Sequence, residues 1–210
     1  PLIRELAFHL KHDLYFPLYP LAPEHPFPSA LDAVHQCYLA LLKSYDSVAI
    51  AGDSAGGGLA LALTHKLRDE QAQLPSSLLL FSPWTDLTLS GNTMISRKAR
   101  DPFINTDMGL EVITTSYLNG SCPKHPYASP LFGDFSSFPP TLIHVGSEEV
   151  LFDDSYRLAQ KLAEANSPYT FKEWDGLFHF FQGLCASSLG MPEARASLRE
   201  AAAFAERYFN

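Results

Sequence analysis

Apolar residues along this chain fall into two rhythms. Short, nearly continuous runs occupy residues 47–51 (Ser-Val-Ala-Ile-Ala), 77–81 (Ser-Leu-Leu-Leu-Phe) and 141–145 (Thr-Leu-Ile-His-Val). Their length and unbroken hydrophobicity predict strands buried on both faces of a parallel sheet. Between them the spacing changes to that of a helix: Leu31, Val34, Tyr38 and Leu41 precede the first run, Leu59, Leu63 and Leu67 follow it, and Leu158, Leu162 and Ala165 follow the third. Ala194, Leu198, Ala201, Ala205 and Tyr208 close the chain in the same way, and Leu2, Ile3, Leu6, Ala7 and Leu10 open it on the inner face of a helix already under way. Two weaker runs, residues 14–19 and 169–174, bring the expected strands to five, although Pro17 removes a ladder donor from the first of them.

Strands alternating with helices predict an α/β fold, a mostly parallel sheet with helices on both faces. Residues 86–140 break the rhythm. They are rich in Pro, Gly, Ser and Asn, with one helix expected near residues 107–118. A structureless loop of that length inside a compact domain is improbable unless it is functional, so the stretch reads as an irregular excursion over the edge or mouth of the sheet.

Composition narrows the class. With 210 residues, of which 46% are hydrophobic, one domain is expected. The 15 basic residues against 23 acidic ones leave a net charge of −8, and the basic residues do not cluster, which argues against nucleic acid or an anionic membrane as partner. No apolar run approaches the ~18 residues of a membrane span. Cys37, Cys122 and Cys185 form neither a disulfide framework nor a C-x-x-C metal site, so a reducing, cytoplasmic setting and no metal are expected. Export stays open, because the chain starts at Pro1 in what reads as mid-domain.

The chemistry begins at Gly52-Asp53-Ser54-Ala55-Gly56, directly after the first strong strand and directly before the Leu59/Leu63/Leu67 helix. A serine on a sharp strand-to-helix turn needs small neighbours, and glycines two before and two after it provide room for the strained backbone. Ser54 is therefore the candidate nucleophile. A serine nucleophile needs an acid and then a histidine further along such a chain. Residues 146–154 (Gly-Ser-Glu-Glu-Val-Leu-Phe-Asp-Asp) form a carboxylate-rich loop at a strand end, and His179 is the histidine that lies beyond it, in the apolar run 177–181. Asp153 and Asp154 are expected to cap the following helix. Asp175, nearest to His179 in sequence, is the rival acid.

At this point the chain resembles the hormone-sensitive-lipase-like branch of the α/β-hydrolases, through nearly its whole length. Residues 19–28 (Tyr-Pro-Leu-Ala-Pro-Glu-His-Pro-Phe-Pro), 52–57 (Gly-Asp-Ser-Ala-Gly-Gly) and 82–87 (Ser-Pro-Trp-Thr-Asp-Leu) carry the resemblance. It implies a serine carboxylesterase acting on short-chain esters through an acyl-enzyme, with a small-molecule ester as substrate and no cofactor. Residue by residue it implies Ser54 as nucleophile, His179 as base, Ala55 N–H as one oxyanion donor, and Glu149, which precedes x-Leu-x-Asp-Asp, as acid. Relatives mostly carry Asp at that acid position, so Glu149 is a departure.

A second departure is that the family's His-Gly-Gly-Gly oxyanion loop, expected upstream of Tyr19, does not occur in these residues. The chain is accordingly expected to be the C-terminal portion of a single hydrolase domain. The first strands and the cap would lie upstream, and the isolated chain would be a poor enzyme. A hydrolase scaffold that has lost turnover and binds a small ligand is the alternative reading. A homodimer is also expected, through the edge strand at 169–174 and a last helix rich in aromatics (Phe204, Tyr208, Phe209).

Overall fold

The computed structural model describes residues 2–104, 109–185 and 191–209. Its centre is a parallel sheet of β1 (Ile50–Asp53), β2 (Leu78–Phe81), β3 (Thr141–Gly146) and β4 (Tyr169–Trp174), in that spatial order. Side-chain alternation along β2 and β3 divides the core in two. Leu79, Phe81 and Leu142 face α1 (Leu2–His9) and α7 (Pro192–Glu206), meeting Leu6, Leu198, Ala201 and Ala205. Leu78, Leu80 and Ile143 face the other way, onto Leu61 of α3 (Ala55–Asp69) and Leu158 and Leu162 of α6 (Phe152–Glu164). This two-sided burial is what the continuous apolar runs required. Outside α3 lies α2 (Ser29–Leu41), whose Leu31, Val34 and Tyr38 meet Ala62, Leu63 and Leu67.

Several expectations need correction. The first strand starts three residues into its apolar run and ends two residues beyond it, because its pairing begins where Ile50 meets Leu78. Residues 14–19 form no strand: they join no ladder, and Tyr15, Phe16 and Leu18 are exposed. The sheet thus has four strands among the described residues. The excursion also holds a short helix, α4 (Thr93–Ser96), that its sequence does not signal, and α5 runs Leu110–Leu118, with the expected start at Asp107 outside the described residues. The excursion is more than a cover, since Leu131, Phe135 and Phe138 fill the core against Leu61 and Leu162.

Asp153 and Asp154 do not cap α6. Asp154 is buried inside and accepts the Thr85 and Asp86 N–H groups at 2.7 and 2.9 Å. Phe204 of α7 is buried, and Tyr208 and Phe209, just beyond the end of that helix, pack partly buried on the chain's own core. The outer edge of β4 is unpaired among the described residues. No helix among the described residues is long and apolar enough to cross a membrane.

Candidate active site

All four strands deliver a loop to the same end of the sheet, their carboxyl ends, where parallel sheets assemble their sites. After β1, the chain turns through Ser54 at φ 49° and ψ −121°, a backbone that L-residues rarely adopt. The glycines around it explain how this turn closes. A Cβ on Gly52 would overlap the Gly56 carbonyl, one on Gly57 would come within 2.7 Å of Pro83 Cβ, and one on Gly58 would overlap the Trp84 carbonyl. Gly56 is the exception: a Cβ there meets nothing within 4 Å, so the second motif glycine is not demanded by crowding. The Ser54 N–H donates to Phe81 O at 2.9 Å, and its carbonyl accepts from Trp84 N–H at 2.9 Å.

The loop after β3 carries Glu149, fully buried, and the loop after β4 carries His179, nearly so. The Glu149 carboxylate accepts the Gly146 N–H at 2.9 Å through one oxygen and meets His179 Nδ1 at 2.7 Å through the other. A buried carboxylate only accepts, so His179 carries its proton on Nδ1. Its Nε2 is then free to accept the Ser54 hydroxyl, which lies 3.0 Å away. Asp175 is exposed and makes no such contact. Glu148, beside Glu149, turns outward to Arg100 at 3.2 Å.

Ala55 opens α3, and helix geometry leaves its N–H, like the others of the first turn, without an intrahelical acceptor. That donor stands directly after the Ser54 hydroxyl. Burial raises the Asp53 carboxyl from its ordinary value, and its own backbone hydrogen bond and the neighbouring His179 oppose that shift. Trp84 and Asp86 brace the loop after β2. The indole N–H donates to Asp86 O at 3.2 Å, and the Asp86 carboxylate accepts from Thr88, Ser90 and Arg157. Glu24 and His25 are exposed. Of the aromatics around His179, Phe181 is core, whereas Phe178 packs against Phe103 with ring centres 5.5 Å apart.

One participant was not visible in the sequence. Ser82, fully buried with φ 50°, donates its N–H to His144 O at 2.8 Å and accepts the Phe180 N–H on its hydroxyl at 3.3 Å. It ties the histidine loop to the end of β2. A serine in Ser-Pro-Trp reads as a turn residue, and nothing in its spacing shows what lies across from it. Among the described residues, no group of three or more His, Cys, Asp or Glu side chains is placed to hold a metal ion.

Residues 1–183 match the model of the alpha/beta hydrolase fold family. The chain is 42% identical over 185 residues to an acetyl-hydrolase of Streptomyces hygroscopicus, covering 87% of this chain and 60% of that protein. It is 39% identical over 209 residues to an esterase of Acinetobacter venetianus, covering 97% of this chain and 67% of that one. A crystal structure of a hormone-sensitive lipase from a metagenome library superposes with a TM-score of 0.94 at 35% identity, covering all of this chain and 70% of the other. An esterase/lipase from an uncultured bacterium gives 0.93 at 34%, with 99% and 70% covered. This chain therefore spans about three fifths to two thirds of the length of these curated relatives. On the family match, the identities and the superpositions together, the chain belongs to the alpha/beta hydrolase fold family, on its hormone-sensitive-lipase-like branch.

Proposed function

We propose that the protein is a serine carboxylesterase whose nucleophile, base and acid are Ser54, His179 and Glu149, acting on esters of short carboxylic acids. The observation that carries this reading is the unbroken relay from Ser54 Oγ to His179 Nε2 (3.0 Å) and from His179 Nδ1 to Glu149 (2.7 Å). In the first half-reaction the Ser54 hydroxyl gives its proton to Nε2 as its oxygen bonds to the ester carbonyl carbon. Glu149 keeps the imidazole in the right tautomer and stabilises the imidazolium that forms. The tetrahedral oxyanion is held by Ala55 N–H, each such donor contributing about 2.7–4 kcal/mol at the transition state. Collapse breaks the bond to the alcohol, which leaves with the proton from Nε2, and Ser54 remains acylated. A water, deprotonated by the same nitrogen, then releases the acid and restores the serine.

The acetyl-hydrolase and esterase relatives support the ester class. The short-chain preference and the substrate rest on the family resemblance. The test is hydrolysis of 4-nitrophenyl acetate, butyrate and octanoate by the protein and by Ser54→Ala. The expected result is turnover that favours the shorter acyl groups and falls at least about 10³-fold in Ser54→Ala. Unchanged turnover in Ser54→Ala would overturn the nucleophile. Tight ester binding without turnover would favour the ligand-binding alternative.

A further inference from the structure

Glu149 is held at its carboxylate by Gly146 and His179, but its main chain must also be fixed for that carboxylate to reach the imidazole. The next residue, Val150, is buried, and both of its peptide groups are taken by side chains from the excursion. Its N–H donates to Asp101 Oδ2 at 3.1 Å, and its carbonyl accepts from the Thr93 hydroxyl at 2.6 Å. Thr93 is gripped in turn by the start of α6: its hydroxyl accepts the Asp153 N–H at 3.1 Å, and its own N–H donates to the Asp153 carboxylate at 3.2 Å. Asp101 is as deeply buried, and its other oxygen accepts the Phe103 and Ile104 N–H groups at 2.9 and 3.1 Å. One carboxylate thus joins two chain segments about fifty residues apart through three backbone donors. Buried backbone groups require partners, and the five-residue turn between β3 and α6 supplies none for Val150 from within itself.

We propose that Asp101 and Thr93 are positioning residues for Glu149, and that this part of the excursion serves as the mount of the acid loop. The proposal rests on the reading of Glu149 as the triad acid. Asp101→Asn is the discriminating change. The amide oxygen can satisfy either Phe103 and Ile104 or Val150, while its NH2 then faces the other side as a donor against donors. Thr93→Val removes a single hydroxyl at nearly constant volume, and Thr93→Ser retains it.

The experiment is a double-mutant cycle on the rate at which a 4-nitrophenyl phosphonate modifies Ser54, read alongside the low-field proton resonance of the His179 Nδ1–H. Asp101→Asn and Thr93→Val are expected to slow labelling by about 10- to 100-fold, as misplacement by around an ångström does, with Thr93→Ser close to the parent. The His179 resonance is expected to shift or broaden in both slowed variants. In a Glu149→Gln background the same changes are expected to have almost no further effect. Equal losses in the two backgrounds, or an unchanged His179 resonance with only a lowered melting temperature, would overturn the proposal and leave Asp101 a purely structural carboxylate. If Glu149→Gln by itself left the rate unchanged, the acid assignment would fall and the proposal with it. A full Glu149→Gln loss with additive Asp101→Asn would defeat the positioning role alone.

Discussion

A glutamate reaches one methylene further than an aspartate, and Glu149 uses that length to meet both the Gly146 N–H and His179 Nδ1 from a fully buried position. Replacing it with Gln keeps the shape but removes the charge that holds the tautomer. Glu149→Gln is expected to lower kcat by about 10⁴, the loss a serine triad suffers without its acid, while Asp175→Ala, at an exposed position, is expected to leave kcat near the parent value. Steady-state kinetics on 4-nitrophenyl acetate decides between them, and the reverse ranking would make Asp175 the acid. Ser54, His179 and Glu149 were legible as residues because each stands in a motif with a directional order. Ser82, Thr93 and Asp101 were not. Their work is done across distances of tens of residues, by a hydroxyl or carboxylate whose partner is backbone, and backbone leaves no trace in composition.

The β1–turn–α3 unit positions Ser54, and its glycines are not equivalent. Gly52→Ala would force a Cβ into the Gly56 carbonyl and is expected to cost at least about 1–3 kcal/mol, whereas Gly56→Ala, in the first turn of α3 with nothing within 4 Å, is expected to add about 0.5–1 kcal/mol. Urea unfolding of the two variants checks this; similar destabilisation by both would mean that the turn is not closed by the contacts described. The same unit shows why the strand and its apolar run do not coincide. Ile50–Asp53 is defined by pairing with Leu78–Phe81, so it runs on through Gly52 and Asp53, which read as loop, and leaves Val48 outside the ladder. Residues 14–19 failed as a strand for the complementary reason: apolar character without a neighbour to pair with is not a strand, and Leu18 stays 89% exposed. In the excursion, Leu131, Phe135 and Phe138 were hidden by their Pro- and Gly-rich context, although they fill the core as fully as any helix face. The stripes of α2, α3 and α6, by contrast, match buried helix faces, whereas in the opening stripe Ile3 is exposed and Leu10 lies beyond the end of α1.

Across the whole molecule, buried titratable groups tie stability to pH. Burial pushes His65 down to about 4 and His144 down to about 3, so between those values and the ordinary 6.5 the unfolded chain binds protons that the native one does not. Each histidine therefore withdraws about 1.4 kcal/mol per pH unit as pH falls through that window. Burial pushes Asp154 the other way, up to about 7, so the native state binds its proton before the unfolded state does and gains stability as pH falls from about 7 towards 4. Between pH 6 and 5 His65 alone therefore contributes a loss of about 1.4 kcal/mol, and His65→Gln is expected to reduce the fall in stability over that interval by about that amount. Urea titrations at the two pH values measure it, and an undiminished slope in the variant would contradict the assignment to His65. The wider architecture brings the loops after all four strands to one end of the sheet, where Ser54 is proposed to stand as an activated nucleophile. Mass spectrometry of the intact protein after exposure to a 4-nitrophenyl phosphonate tests it most directly. The expected result is a single adduct that maps to Ser54, is absent from Ser54→Ala and forms far more slowly in His179→Ala; an adduct on another residue with Ser54 unmodified would contradict it.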